Sequence, residues 1–154
     1  MKDKKRILLI EQLDTKLSYF MAVDEVALPS SGWIKSIRTV LKMSLRQLGN
    51  RINISPQSVG DMEKREANGS ITLNTLRELA IGLDMKLVYG FVPNKGSIDE
   101  MIEERALEIA KEIVGRTHVT MTLEDQQNST DRIAKAIAQK TEEIKQEMPK
   151  YLWD

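Results

Sequence analysis

One short stretch of the chain brings amide, hydroxyl, carboxylate and cationic side chains together, namely Gln57, Ser58, Asp61, Lys64 and Arg65. An amide can hydrogen-bond adenine through two atoms, and a serine hydroxyl can donate or accept at a base edge. The carboxylate shapes which bases are accepted, while the cations suit phosphate groups. Carried at the start of a short helix, this set predicts direct reading of DNA in the major groove.

The surrounding residues predict two helices joined by a tight turn over residues 44–66. Ser44 is a suitable N-cap for the first helix, because serine accepts a hydrogen bond from the first turn. The inward face of this helix repeats at spacings of three and four, at Leu45, Leu48, Gly49 and Ile52. Residues 53–56 predict the turn, since asparagine tolerates left-handed backbone and proline suits the first helical position. The second helix continues the inward face at Val59, Met62 and Glu63.

This stretch resembles the helix-turn-helix of the Cro/CI-type (Xre-like) repressors. Their pattern has a small residue in the first helix, a hydrophobe and turn, a polar start to the recognition helix, and a buried Val or Ile followed four residues later by Glu. The matching residues here are Gly49, Ile54-Ser55, Pro56-Gln57-Ser58, Val59 and Glu63. The alternative interpretation is an ordinary pair of packed helices.

The predicted DNA-binding residues divide into base-contacting and phosphate-contacting groups. Gln57 and Ser58 are predicted to contact bases, with Asp61 shaping specificity. The whole set is Ser44, Arg46, Gln47, Ser55, Gln57, Ser58, Asp61, Lys64 and Arg65. A homodimer would set two reading helices about 34 Å apart on double-stranded DNA with a near-palindromic sequence.

The charge of the chain is balanced overall but uneven along its length. Residues 30–66 hold seven basic and three acidic residues, a net charge of +4, whereas residues 97–154 hold eight basic and thirteen acidic residues, a net of −5. A basic segment joined to an acidic one favours DNA at one end and a protein partner at the other, although uneven surface charge alone is the simpler interpretation.

The sequence lacks the residues that disulfide, metal or catalytic sites need. The chain has no cysteine and one histidine, His118, which excludes a disulfide framework and a Cys-ligated zinc. No catalytic group, metal site or cofactor is predicted, so we expect a protein that is not an enzyme. The sequence has no apolar run long enough for a membrane span, so we predict no membrane contact and a cytoplasmic location, nucleoid-associated when bound to DNA.

The predicted fold class is mainly α, a five-helix-type Cro/CI-like domain with additions at both ends. Residues 1–29 are predicted as an N-terminal helix (3–22) and linker, and residues 30–84 as the helix-turn-helix domain, whose first helix, Trp33–Met43, buries Trp33 and points Lys35, Arg38 and Lys42 outward. Residues 85–93 alternate apolar and other residues, which predicts one short β-strand over about 85–92. It would pair with its copy in another subunit, or else lie as a lone extended segment across the helices. Residues 97–154 form a helical extension for dimer or partner contact, with a break at residues 115–118.

The chain as a whole resembles the group called "mobile mystery protein A". The resemblance rests on the segments GWIKSIRTVLKMSLRQLGNRINISPQSVGDMEKREANGSITLNTLRELA, LVYGFVP and HVTMTLEDQ. It implies an Xre-type regulator from one half of a two-gene mobile cassette, whose other half encodes a Fic-domain protein. It therefore implies an autorepressor with an antitoxin-like role.

A rival hypothesis is an interaction protein that inhibits its Fic-type partner through the C-terminal helices. Fic-inhibitory helices resemble [S/T]xxxE[G/N], and Thr120 and Glu124 match the first and fifth positions of that motif. Asp125 departs from it, since Gly or Asn is expected there. The simpler interpretation of residues 122–124 is the start of a helix.

Overall fold

The computed structural model describes residues 2–118 and 126–154, which are mainly helical, as the sequence predicts. The helices are α1 (Lys2–Ser18), α2 (Met21–Asp24), α3 (Trp33–Val40), α4 (Leu45–Ile52), α5 (Pro56–Asn68), α6 (Leu73–Gly82), α7 (Ile98–His118) and α8 (Gln126–Glu147). A short 3-10 helix, Lys150–Trp153, follows α8. The single N-terminal helix predicted over 3–22 is thus interrupted by a turn between α1 and α2.

The described chain divides into two compact units. Residues 22–90 form the first, which we call the continuous unit because one uninterrupted segment builds it. The second, the split unit, combines the described residues up to 21 with those from 91 onward. The N-terminal helix therefore belongs with the C-terminal helices.

The core of the continuous unit draws on α3, α4, α5 and α6. Its buried residues are Ile34, Leu48, Val59, Leu79 and Leu83. The half-buried residues Leu45, Ile52 and Met62 pack against it. The inward faces predicted for α4 and α5 are therefore confirmed, because apolar residues at spacings of three and four share one side of a helix.

The core of the split unit forms mainly where α7 and α8 pack along each other. Its buried residues are Ile102, Ala106, Ile109, Ala110, Ile144 and Leu152, and Ile10 of α1 packs against them. Asp14 of α1 accepts the backbone N–H of Ile98 at 2.8 Å and that of Asp99 at 3.3 Å. The carboxylate of α1 thus satisfies two otherwise unpaired donors at the start of α7.

The predicted β-strand over 85–92 is not present. Within residues 2–118 and 126–154 no strand is found, and residues 85–92 run without helix or ladder. A strand exists only when another strand accepts and donates its backbone hydrogen bonds, and the described part of this chain offers none. The alternating pattern alone was not enough to form one.

Two expectations about the helices were wrong. The break predicted at residues 115–118 is absent, since α7 continues to His118. One glycine costs a helix about 1 kcal/mol, which is too little to end a long, well-packed one. Trp33 was predicted to be buried but is 42% exposed, because it occupies the first position of α3 while Ile34 takes the core position.

No helix in the described residues combines the length and the apolar character needed to cross a membrane.

Candidate nucleic-acid interface

The start of α4 is closed by a reciprocal pair of hydrogen bonds. The backbone N–H of Gln47 donates to the Ser44 hydroxyl at 3.0 Å, and the backbone N–H of Ser44 donates to the Gln47 side-chain oxygen at 2.8 Å. This capping box satisfies donors that a helix start leaves unpaired. The amide nitrogen of Gln47 and the exposed side chain of Arg46 remain directed to solvent.

The turn between α4 and α5 is held by two backbone features. Asn53 adopts the left-handed conformation, with φ of 58°, and the N–H of Ile54 donates to the carbonyl of Gly49 at 2.9 Å. A Cβ atom on Gly49 would lie 2.5 Å from the carbonyl oxygen of Ile54. Only glycine allows this approach, so Gly49 fixes how sharply the chain enters α5.

Two serines, Ser55 and Ser58, form the hydrogen bonds that cap the start of α5. The Ser55 hydroxyl accepts the backbone N–H of Ser58 at 3.1 Å and donates to the Ser58 hydroxyl at 2.8 Å. Pro56 occupies the first turn, where its missing N–H costs nothing. Ser58 is half-buried and keeps its own hydroxyl hydrogen for an outside acceptor.

A buried ion pair holds the inner side of α5 against α3. Arg38 donates from Nε to one Glu63 oxygen at 2.5 Å and from Nη2 to the other at 3.1 Å. Its third nitrogen, Nη1, donates to the carbonyl of Met43 at 2.8 Å. The side chains of Arg38 and Glu63 are 13% and 6% exposed. The outward position predicted for Arg38 was therefore wrong: this residue links α3, α5 and the turn before α4.

A second carboxylate of α5 caps α3. The backbone N–H of Ile34 donates to Oε1 of Glu66 at 2.9 Å, which satisfies a free donor near the start of α3. Together with the ion pair, this contact fixes the rotation of α5 about its own axis. Residues opposite Val59 and Glu63 must then face solvent.

The outer face of α5 carries four of the nine predicted DNA-binding residues. Gln57, Asp61 and Lys64 lie at spacings of four and three and are exposed, with Arg65 exposed on the flank of the same face. Among the described residues, no carboxylate forms an ion pair with Lys64, Arg65 or Arg46. Charged side chains without partners remain available to an external anion.

A shallow depression of about 610 Å³ borders this face between α3 and α5. Gln57, Asp61 and Lys64 line one side, and Lys35 and Ser31 line the other. Lys35 was not among the predicted DNA-binding residues. The helical spacing in α3 predicts that Lys35 is exposed. No local sequence pattern predicts that Lys35 lies beside the outer face of α5.

The predicted residues therefore fall into three groups. Ser44, Gln47, Ser55 and Ser58 stand at the two helix starts, where their side chains form caps. Arg46 lies exposed on the first turn of α4, and Gln57, Asp61, Lys64 and Arg65 form the outer face of α5. Thr120 and Glu124, the candidates for partner inhibition, lie outside the described residues.

Comparisons of the chain with protein-family models, with curated proteins and with solved structures gave no match.

Proposed function

We propose that this chain is a sequence-specific DNA-binding transcriptional regulator that reads DNA through α5. The observation that carries the proposal is the outer face of α5, where Gln57, Asp61 and Lys64 are exposed in one row while Val59 and Glu63 on the opposite side are buried. A helix held rigidly on one side and polar on the other suits insertion into the major groove.

Each exposed group has a distinct role in the proposal. Gln57 makes a bidentate contact with adenine, and Ser58 donates its free hydroxyl hydrogen to a base acceptor. Asp61 accepts from the amino group of cytosine and repels phosphate, so it selects register as well as sequence. Lys64 and Arg65 bind phosphates on either side of the groove.

The two helix starts add phosphate contacts. The amide nitrogen of Gln47 donates to a phosphate while its oxygen stays in the α4 cap, and Arg46 contributes charge beside it. The N-termini of α4 and α5, capped by Ser44 and Ser55, add the positive end of the helix dipole. These contacts orient α5 without depending on sequence.

The biological setting of the proposal rests on the group resemblance. We propose an autorepressor of a two-gene cassette with an antitoxin-like role, acting in the cytoplasm as a homodimer on a near-palindromic operator. The Fic-domain protein from the neighbouring gene is the proposed partner.

Two substitutions test the roles of base and phosphate contacts. Gln57→Ala should weaken binding to DNA selected by the wild-type protein by about ten- to a hundred-fold and leave binding to random DNA nearly unchanged. Arg65→Ala should weaken both and reduce the salt dependence by about one counterion. Fluorescence anisotropy over a salt series measures both effects, with Arg116→Ala on α7 as a control for loss of one exposed charge. If Gln57→Ala weakened binding to selected and random DNA equally, Gln57 would not be a base-contacting residue.

A second candidate function is inhibition of the Fic-type partner by the split unit. Tyr151 and Trp153 stay 46% and 58% exposed there, in the acidic part of the chain. Exposed aromatic side chains frequently anchor protein interfaces. Titrating the full chain against the nucleotide-transferring activity of the neighbouring Fic protein tests this: wild type should inhibit and Tyr151→Ala/Trp153→Ala should not, while the Gln57→Ala variant should still inhibit. Equal inhibition by the aromatic double variant would exclude these residues as the anchor.

A further inference from the structure

The outward side of α6 and the segment after it form an apolar surface without a partner. Leu73, Arg77 and Ile81 repeat at spacings of four and share one side of α6. The guanidinium of Arg77 lies 5.6 Å from the ring centroid of Tyr89, which brings the following segment beside that row. Ile81 is 70% exposed, and Met85, at the end of α6, is 50% exposed. We call these five residues the α6 surface.

The backbone beside the α6 surface is also unpaired. The N–H of Met85 closes the end of α6 by donating to the carbonyl of Ala80 at 2.8 Å. Within the described chain, residues 86–90 make no backbone hydrogen bond after that. Val88, in the middle, is 69% exposed. A run of free N–H and C=O groups that carries exposed apolar side chains is a template for another strand.

The charges on and around the α6 surface indicate what covers it. Arg77 and Lys86 are matched there by Glu78 and Asp84, and all four are exposed. A polyanion such as DNA, or a partner of one charge sign, would face repulsion from half of them. A surface with equal numbers of both signs has no net charge, so its own copy meets no net repulsion when the two pair across a two-fold axis.

We infer that the α6 surface is where a second copy of this chain docks, with residues 86–90 of the two copies paired antiparallel. An antiparallel pair uses the same residues from both chains, so each copy satisfies the free backbone groups of the other. The apolar side chains at its edge become buried at the same time. This inference deepens the proposed function, because the two-fold axis would relate the α5 helices of the two copies.

Sedimentation equilibrium on the full chain tests the surface. Wild type should be dimeric at micromolar concentration, and Ile81→Glu should raise the dimer dissociation constant about a hundred-fold or more, since it buries an unpaired charge. Val88→Pro should also weaken the dimer, because proline removes an N–H from the ladder. Val40→Glu is the matched control: Val40 is 83% exposed in the same unit, on α3, and should leave the dimer unchanged. A monomeric wild type, or equal effects from Val40→Glu, would overturn the inference.

Cross-linking provides a second measurement that does not depend on a destabilising change. The chain has no cysteine, so a single introduced cysteine can pair only with its own copy. Oxidising Leu87→Cys, Val88→Cys and Tyr89→Cys separately should give covalent dimers for the residue nearest the two-fold axis, where facing Cα atoms lie about 4.5–5.5 Å apart. Val40→Cys should not cross-link. No cross-link at any of the three positions would contradict the antiparallel pairing.

The outcomes separate this inference from the proposed function. If the cysteine variants cross-link but the protein binds DNA without sequence preference, the dimer interface is supported and the proposed function is contradicted. If the wild-type protein binds DNA with sequence preference but Ile81→Glu remains dimeric, the proposed function is supported and the α6 surface is not the dimer interface.

Discussion

The two compact units of the chain use charged residues in opposite ways. In the continuous unit, the pair of Arg38 and Glu63 is buried and fixes α5 against α3. In the split unit, Lys145 bridges Asp99 and Glu103 at 2.9 and 3.3 Å, but both carboxylates are more than half exposed. A buried pair fixes geometry because breaking it leaves a buried charge without a counter-charge. A surface pair is screened by solvent and salt, so it adds little to the free energy of unfolding. The unit proposed to read DNA is thus the one whose outer face has a fixed orientation.

The units also differ in how the chain builds them. The continuous unit comes from residues 22–90 alone. The starts of α4, α5 and α6 are capped by the nearby residues Ser44, Ser55 and Thr72. In contrast, α3 takes its cap from a distant residue, Glu66, which lies within the same segment. The split unit needs both ends of the chain, since Asp14 caps α7 from α1. Local caps form as soon as their helix does, while the cap from Asp14 requires a long loop to close first.

The largest expected effect breaks the buried pair. Glu63→Ala should lower the free energy of unfolding of the continuous unit by about 3–5 kcal/mol, because it leaves Arg38 buried without a counter-charge. Urea unfolding followed through Trp33 in a Trp153→Phe background measures it. Glu103→Ala, which removes a surface partner of Lys145 in the split unit, should cost less than about 1 kcal/mol in a Trp33→Phe background. Similar losses of unfolding free energy for Glu63→Ala and Glu103→Ala would show that the two units do not differ in how their ion pairs contribute to stability.

The next effect tests whether the units unfold separately. Ile144 is 1% exposed in the core of the split unit. Ile144→Ala should cost about 2–5 kcal/mol through lost burial and a cavity, detected by Trp153 in a Trp33→Phe background. Leu9→Ala, at a half-exposed position on α1, should cost much less. An equal loss read from Trp33, when Ile144→Ala is made in a Trp153→Phe background instead, would mean that the two units unfold as one.

A smaller effect compares two glycines. Gly49→Ala should destabilise the continuous unit by about 1–3 kcal/mol, because the added Cβ meets the backbone oxygen of Ile54 at 2.5 Å. Gly115 lies inside α7, and no described atom comes within 4 Å of a Cβ there. Gly115→Ala should therefore stabilise the split unit by about 1 kcal/mol through helix propensity. Thermal unfolding of the single-tryptophan backgrounds measures both, and a stabilising Gly49→Ala would show that the turn is not tightly held.

The smallest effect is pH-dependent. Hydrogen bonds from Lys145 to Asp99, and then to Glu103, hold the pKa of Lys145 above its ordinary value of 10.5. The folded state therefore binds this proton more tightly than the unfolded chain does. The stabilisation is complete below the ordinary value and is lost as pH rises through the raised pKa. The difference in unfolding free energy between wild type and Lys145→Met should shrink by less than about 1 kcal/mol over that range. A difference that is flat with pH would show that the surface pair contributes nothing.

Much of the continuous unit could be predicted because its signals are local. The caps at Ser44 and Ser55, the left-handed Asn53 and the buried Val59 all follow from residue type and spacing within a few positions. The exposed face of α5 follows in turn, since burying Val59 and Glu63 leaves Gln57, Asp61 and Lys64 outside.

What the sequence could not predict depends on contacts between distant segments. Arg38 looks outward by periodicity, and only its partner Glu63 on another helix turns it inward. Asp14 is an ordinary helix residue until α7 begins beside it. The strand expected over 85–92 needs a partner that the described part of one chain does not contain.

The most direct test of the central claim is fluorescence anisotropy of the purified protein on DNA from directly upstream of its own gene, beside a scrambled sequence of equal length, over a salt series. We expect saturable binding with a clear preference for the upstream DNA, which Gln57→Ala reduces by about ten- to a hundred-fold. Weak binding that ignores sequence at every salt concentration would contradict it. The outer face of α5 would then have to serve a protein partner instead.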